Sequence, residues 1–149
     1  MGKNKKPKIP NADDWIGYRD DLEVRYAHKL LFGKSIAEVQ GLFGDIRSIE
    51  RASELQSMPR RAFQYYVLAF AEFILSAAAR EDADSASPFL HLLISREEND
   101  PGSVAQIYPR LAQAVDFIAT HQDYFDADPD TYGSFADLAA RLRAACDVG

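Results

Sequence analysis

Apolar residues recur along most of the chain at intervals of three and four positions, which is the spacing of one face of an α-helix. No segment alternates apolar and polar residues in the way that a half-buried strand does. Polar or glycine-containing breaks separate the periodic segments. We therefore expect an all-α protein in which residues 11–149 form a single compact domain of six or seven helices, preceded by a disordered basic tail over residues 1–10.

The first helix is expected to begin at a capping residue, Asn11 or Asp13, and to end at Gly33. Its apolar side chains recur at helical spacing and predict one buried stripe. This stripe consists of Trp15, Tyr18, Leu22, Tyr26 and Leu30.

Two shorter helices are predicted to follow. Ser35 and Glu38 have the spacing of a capping box, and Asp45 precedes the third helix. On the third helix, the side chains expected to face the core are Ile46, Ile49 and Leu55. Those expected to pair along its outer surface are Glu50, Arg51 and Glu54.

The central helix is predicted over about residues 59–79, because Pro59 suits a first helical position and apolar residues cover more than one face after it. A helix that is apolar nearly all round is surrounded by other helices. The segment from Ala62 to Ala79 also contains Glu72, and a carboxylate near the middle of a membrane-spanning helix is costly. We therefore interpret this segment as a core helix and predict no membrane association.

The C-terminal half is predicted to contain three further helices. The polar residues 80–87 have no period and predict a loop, and a short helix follows from Pro88. Pro109 requires the next helix either to start after it or to start at Val104 and kink. A loop over residues 126–133 then leads to a last helix capped by Ser134.

The charge is unevenly distributed. The net charge is −6, four lysines lie within the first eight residues, and from Glu81 onward there are 13 acidic and 4 basic residues. A surface with this balance repels nucleic acid and attracts basic proteins. The alternative is that the acidic residues only keep the protein soluble. The sequence contains one cysteine, Cys146, and no secretory h-region, which favours a cytoplasmic protein.

The acidic residues near the C-terminus are the first candidate site. We expect Asp123, Asp126, Asp128 and Asp130 to contact a basic partner, together with Tyr65 if its side chain is partly exposed. A weaker alternative is a calcium loop, because Asp126, Asp128, Asp130 and Asp137 occupy positions 1, 3, 5 and 12 of an EF-hand. That match departs at Thr131, which stands where the sharp turn needs glycine.

The second candidate is Glu72, the only charged residue inside the central apolar helix. It either points to an exposed edge, which we favour, or lines a pocket near the tyrosines of that helix. The sequence offers no catalytic constellation and no cofactor motif: His28, His91 and His121 are scattered, and Cys146 lies at a helix C-terminus, where the dipole disfavours a thiolate.

The segment from Met58 to Phe70, MPRRAFQYYVLAF, resembles a pattern of small bacterial helical proteins. In these proteins a Phe-x-Tyr-Tyr helix follows a Met-Pro or Thr-Pro start, and a Leu-rich helix and an amphipathic helix come after it. Some of them resemble immunity proteins, which neutralise a toxin made by the same cell. The resemblance implies a non-enzymatic inhibitor and carries over no catalytic residue.

The sequence therefore predicts a non-enzymatic binding protein, of the immunity type, that neutralises a basic toxin through its acidic surface. Two alternatives remain open: a small-molecule-binding or enzymatic domain with a pocket near Glu72, and calcium binding at the loop from Asp126 to Asp137. The oligomeric state is not predicted.

Overall fold

The computed structural model describes residues 6–148, and the described part of the chain contains eight α-helices and no strand. The predicted all-α class is confirmed. The helices are α1 (Leu22–Leu31), α2 (Ile36–Val39), α3 (Ile46–Ser57), α4 (Arg60–Ile74), α5 (Ala83–Asn99), α6 (Tyr108–Thr120), α7 (Pro129–Tyr132) and α8 (Phe135–Ala145). Short 3₁₀ turns connect several of them.

The predicted basic tail is only partly described. Residues 1–5 lie outside the described residues, and residues 6–10 have no regular secondary structure. Pro10 is nevertheless buried, so the chain already packs against the domain one residue before the expected boundary.

The centre of the fold is α4, as the sequence predicts. Its residues from Ala62 to Ile74 are buried except for Gln64 and Glu72, and it contacts α2, α3, α5 and α6. The helix ends at Ile74, five residues earlier than expected, and a 3₁₀ turn over Ala77–Ala79 follows. Buried apolar side chains form one core that extends along the chain from Trp15 to Cys146. None of the helices in the described residues is long and apolar enough to span a membrane.

The predicted first helix is wrong in its start and in part of its buried face, because Trp15 is buried as expected but Leu22 and Tyr26 are not. Gly17 adopts φ +97° and separates two 3₁₀ turns, and α1 begins only at Leu22, after the cap Asp21. Leu22 and Tyr26 are 77% and 55% exposed. The buried side chains of α1 are instead Val24, Ala27 and Leu31.

The predicted orientation of α3 is also largely reversed. Ile46 and Ile49 are 67% and 45% exposed, while Arg51 and Glu54 are only 5% and 4% exposed. The two charged side chains can occupy the buried face because they form two hydrogen bonds of 2.6 Å with each other, which compensates part of the cost of removing them from water. Leu55 is buried, as expected.

The loop predicted over residues 80–87 is shorter in the structure, because α5 begins at Ala83 and contains Pro88 within it. The small residues Ala83, Ser85 and Ala86 are buried, so this polar segment packs closely against the core. Neither alternative for Pro109 is exact: α6 begins one residue before it, at Tyr108, so that Pro109 lies in its first turn, and a 3₁₀ turn over Ala105–Ile107 precedes the helix.

Candidate functional site

The connection between α6 and α8 is held in one conformation by Gln122. Its Nε2 donates 2.9 Å hydrogen bonds to the carbonyl oxygens of Ala127 and Gly133, and its Oε1 accepts one of 2.9 Å from the Phe135 N–H. Phe125 is fully buried beside this clamp. A glutamine in a polar stretch gives no sequence signal for this role, so Gln122 is not among the residues predicted from the sequence.

The four aspartates predicted to contact a partner lie on this connection, and all four are exposed. Asp123 belongs to the 3₁₀ turn over Gln122–Phe125, Asp126 adopts φ +55°, and Asp128 caps α7 by accepting a 3.0 Å hydrogen bond from the N–H of Asp130. The structure therefore brings the four predicted residues together on one turn-rich segment at the surface.

Two further acidic residues come from the start of α5, where Glu81 precedes the helix and Asp84 lies in its first turn. The N–H of Glu81 donates to the Tyr124 carbonyl oxygen at 2.8 Å, and the Tyr132 hydroxyl donates to Asp84 Oδ1 at 3.2 Å. Both Glu81 and Asp84 are exposed. We use the term acidic surface for the six residues Glu81, Asp84, Asp123, Asp126, Asp128 and Asp130.

The carboxylates of the acidic surface carry uncompensated charge. None of them is within ion-pair distance of a basic side chain of residues 6–148, whereas Asp14, Asp100 and Asp116 elsewhere each pair with an arginine. The same neighbourhood acts on Tyr132, because its hydrogen bond to Asp84 and the nearby charges of Asp126 and Asp82 raise the pKa of this tyrosine.

Aromatic rings border the acidic surface. The rings of Phe117 and His121 stack with centroids 4.3 Å apart, and Tyr124 packs edge-on against Phe117 at 5.1 Å. Tyr124 and Tyr132 are half-buried. A tyrosine that is fixed on one side and exposed on the other supplies contact area at little cost in side-chain entropy, which is common at protein interfaces.

The described geometry does not support the calcium alternative. Residues 129–132 of the would-be loop form α7, because Asp128 caps a helical turn that Pro129 opens. A calcium loop needs that stretch to turn sharply around the ion instead. Among residues 6–148, no group of three or more acidic, histidine or cysteine side chains is arranged to hold a metal ion, and this includes the set formed with Asp137.

Glu72 and Tyr65 do not occupy the places that a pocket residue and an exposed contact residue require. Glu72 is exposed, which confirms the interpretation that it points out of the core, so its carboxylate does not line an internal pocket. Tyr65 is only 7% exposed, and its hydroxyl accepts a 3.1 Å hydrogen bond from the Ile36 N–H. It is a core residue rather than an exposed contact residue.

A cleft of about 510 Å³ does border Tyr65. Its lining includes the cationic residues Lys6, Lys8, Arg61 and Arg110 and one carboxylate, that of Asp14. Glu72 is not among the lining residues, so the cleft differs in place and in charge from the pocket that the sequence suggested.

The histidines and the cysteine have separate surroundings. His28 stacks on Tyr18 with centroids 3.8 Å apart, and partial burial together with the charge of Arg19 lowers its pKa. His91 is exposed on α5. Burial raises the pKa of the Cys146 thiol to about 11, so this thiol is protonated at neutral pH and is a poor nucleophile.

Comparison with known proteins identifies no relative: no family model matches the chain, and no curated protein or solved structure shows significant similarity to it.

Proposed function

We propose that the protein is a non-enzymatic binding protein that docks a basic protein through its acidic surface. The observation that carries this proposal is that six exposed carboxylates, from two segments of the chain, lie without ion-pair partners in the described structure. Such an arrangement costs folding free energy through mutual repulsion. A basic partner would relieve the repulsion, and this links the arrangement to binding.

The mode of binding follows from the same surface. Its field would steer a basic partner and accelerate the encounter, and the half-buried Tyr124 and Tyr132 would supply the apolar contact area that keeps the complex together. Aromatic faces next to carboxylates also suit the side chains of arginine and lysine, because a cation can contact a ring and a carboxylate together.

The finer proposal is an immunity-type inhibitor. In this mode the protein covers a functional site of a basic toxin, and inhibition results from occlusion rather than from a reaction. The resemblance of the segment from Met58 to Phe70 supports this proposal, as does the absence of a catalytic arrangement in the sequence.

The test is recovery of a partner from extract of the native cell with tagged protein as bait, at low and at high salt. The decisive variant is Asp126→Asn/Asp130→Asn, because neither side chain accepts a hydrogen bond in the described structure and asparagine is tolerated at the positive φ of Asp126. Its matched control is Asp13→Asn/Asp20→Asn, which removes the same charge from the other end of the sequence.

We expect one basic protein to be recovered at low salt, less of it at high salt, and at least tenfold less with the Asp126/Asp130 variant than with the control. Equal recovery with both variants would contradict a role for the acidic surface. The inhibitor proposal further requires that a toxic activity of the recovered partner is lost when the two proteins are mixed in equal amounts.

A further inference from the structure

A cleft of about 570 Å³ adjoins the acidic surface and is lined in part by residues 80–82, directly before α5. The residue Glu81 belongs to both, since it lines the cleft and its N–H bonds to Tyr124. The rings of Phe43 and Phe73, which are stacked with centroids 6.2 Å apart, form part of the cleft wall. Asp82 lines the cleft as well.

Asp82 is only 6% exposed, and its two carboxylate oxygens have different surroundings. Oδ2 accepts a 3.0 Å hydrogen bond from the Asp45 N–H and lies 2.6 Å from the Ser85 hydroxyl. Because a carboxylate can only accept hydrogen bonds, the Ser85 hydroxyl donates this hydrogen bond to Asp82. Ser85 also lies 2.6 Å from Ser48, whose Oγ accepts from the Gly44 N–H at 2.8 Å. This buried network fixes the position of the carboxylate.

Oδ1 of Asp82, in contrast, is buried and has no hydrogen-bond donor among the described residues. An unsatisfied charged acceptor of this kind is expensive, and buried polar groups in native proteins are nearly always paired. The network on Oδ2 prevents the side chain from rotating away. The described residues therefore leave the second oxygen of Asp82 to be satisfied by a bound water or by a donor group that enters the cleft and displaces it.

The cleft favours a cationic donor. The charged residues that line it are Asp45, Glu81 and Asp82 against Arg47 and Arg80, which leaves a balance of −1. The guanidinium of Arg47 is already engaged, since its Nη1 donates to the Gly41 carbonyl oxygen at 2.7 Å. Among cationic side chains, the planar and weakly hydrated guanidinium of arginine is best suited to a partly apolar site with aromatic walls.

We propose that this cleft is an anchor pocket for one arginine side chain of the basic partner, whose guanidinium donates a hydrogen bond to Oδ1 of Asp82. The inference rests on the proposed function, because it places a contact residue of the same partner next to the acidic surface. It gives Asp82 a role that the exposed aspartates do not have: they attract the partner by charge, and Asp82 selects the side chain that enters.

The test uses N-acetyl-arginine amide as the probe and the uncharged N-acetyl-citrulline amide, which has nearly the same shape, as its control. Binding is followed from the backbone amide signals of the ¹⁵N-labelled full chain. We expect the arginine probe to shift the signals of Gly44, Asp45 and Asp82 and to bind at least tenfold more tightly than the citrulline probe, because a charge-assisted hydrogen bond is stronger than a neutral one.

The matched variants are Asp82→Asn and Asp20→Asn. Asparagine at position 82 can keep both accepted hydrogen bonds on its carbonyl oxygen and place its amide group where Oδ1 stands, so the fold is expected to persist. Binding of the arginine probe should fall at least tenfold with Asp82→Asn. It should change less than twofold with Asp20→Asn, which removes an equal charge from an exposed position outside both the cleft and the acidic surface.

Three results would overturn the anchor pocket: no cleft signal shifted by the arginine probe at millimolar concentration, equal binding of both probes, or equal binding by both variants. The first two need no variant, so they decide the question even if Asp82→Asn does not fold. Shifts confined to residues 123–132 would also exclude the pocket, but they would leave the proposed docking through the acidic surface intact. If the arginine probe binds specifically in the cleft but no partner is recovered, the pocket is supported and the proposed docking of a basic protein is contradicted.

Discussion

At the scale of single residues, buried charges determine how several helix ends are fixed. Arg96 is 5% exposed; its Nη1 donates to the carbonyl oxygens of Leu55, Gln56 and Met58, and its guanidinium lies 4.5 Å from the centre of the Phe63 ring. These carbonyls lie at the end of α3, where the only backbone donor to any of the three among the described residues is the Met58 N–H, at 3.4 Å from the Leu55 oxygen. The arginine therefore connects α5 to α3 by completing a helix terminus.

Glu97 has the complementary role, because it accepts hydrogen bonds from backbone N–H groups whereas Arg96 donates them to backbone carbonyls. Its two oxygens accept hydrogen bonds of 2.7 to 2.9 Å from the N–H groups of Gly102, Val104 and Ala105. These groups precede α6, and that of the buried Val104 in particular would otherwise lack an acceptor. The adjacent residues Arg96 and Glu97 of α5 thus bond to backbone carbonyls at the end of α3 and to backbone N–H groups before α6. These hydrogen bonds fix both charged side chains inside the helical core.

The ion pair between Arg51 and Glu54 provides a direct test of buried charge on α3. Both side chains are at most 7% exposed, so removing one leaves the other charged and unpaired. We expect Arg51→Met to lower the free energy of unfolding by about 3–5 kcal/mol, whereas Arg51→Met/Glu54→Leu should remain within about 1 kcal/mol of the wild type. Urea denaturation of both variants measures this difference.

Glu50→Gln is the control, because Glu50 lies 3.9 Å from Arg51 but its side chain is 60% exposed. Its effect should be below about 0.5 kcal/mol. If Arg51→Met cost as little as this control, the pair would be an ordinary surface interaction, and the buried orientation of α3 would be wrong.

At the scale of elements, α1 and α3 pack against each other and both expose large apolar side chains. The exposed residues are Leu22, Tyr26, Ile46 and Ile49. Between the helices, Glu23 on α1 and Ser53 on α3 are joined by a side-chain hydrogen bond of 2.5 Å. The burial pattern therefore follows neighbouring elements rather than the apolar positions of either helix considered alone.

Two leucines of α1 give the matched comparison for this orientation. Leu22 is 77% exposed and Leu31 is 3% exposed, although the sequence pattern assigns Leu22 to the core. We expect Leu31→Ala to lower the free energy of unfolding by about 2–5 kcal/mol through loss of burial and creation of a cavity. Leu22→Ala should change it by less than about 0.5 kcal/mol. Thermal or urea denaturation distinguishes them, and similar losses for both leucines would restore the stripe predicted from the sequence.

These elements also show what a sequence can and cannot predict. The capping box of Ser35 and Glu38 forms as predicted, and so does the burial of α4, because both depend on local spacing or on apolar residues all round a helix. The inner face of α3 could not be predicted, since mutual neutralisation of Arg51 and Glu54 is visible only when both are known to be buried. The break at Gly17 was missed because apolar periodicity continues across it.

The candidate site was likewise only partly predictable from the sequence. Exposure of the aspartates from Asp123 to Asp130 follows from their density in a loop-like segment, and the sequence analysis identified them. Asp84 joins them only through the contact of Tyr132, which is 48 residues away in the chain. Asp82 is distinguished from its acidic neighbours solely by burial, which no local pattern indicates.

At the scale of the whole molecule, the acidic residues are concentrated where basic residues are scarce. From Glu81 onward the chain has 13 acidic and 4 basic residues, and three of those four basic residues, Arg96, Arg141 and Arg143, pair with acids away from the acidic surface. The repulsion among the remaining carboxylates is consequently not relieved inside the domain. Because these carboxylates are exposed, mobile salt ions can screen their repulsion.

The stability of the free protein should therefore increase with salt. Raising NaCl from about 10 mM to about 150 mM shortens the screening length from about 30 Å to about 8 Å. If the reduced repulsion stabilises the fold by about 1 kcal/mol, the Tm of a chain of this size rises by about 2–4 °C.

The Asp126→Asn/Asp130→Asn variant should be more stable than wild type at low salt, and its Tm should rise less with salt. The control Asp13→Asn/Asp20→Asn should keep most of the wild-type rise in Tm. Differential scanning calorimetry in the two buffers measures all three. A wild-type Tm that falls with salt would mean that the ion pairs elsewhere, such as that of Arg143 and Asp116, outweigh the repulsion. The acidic surface would then have no energetic cost for a basic partner to relieve.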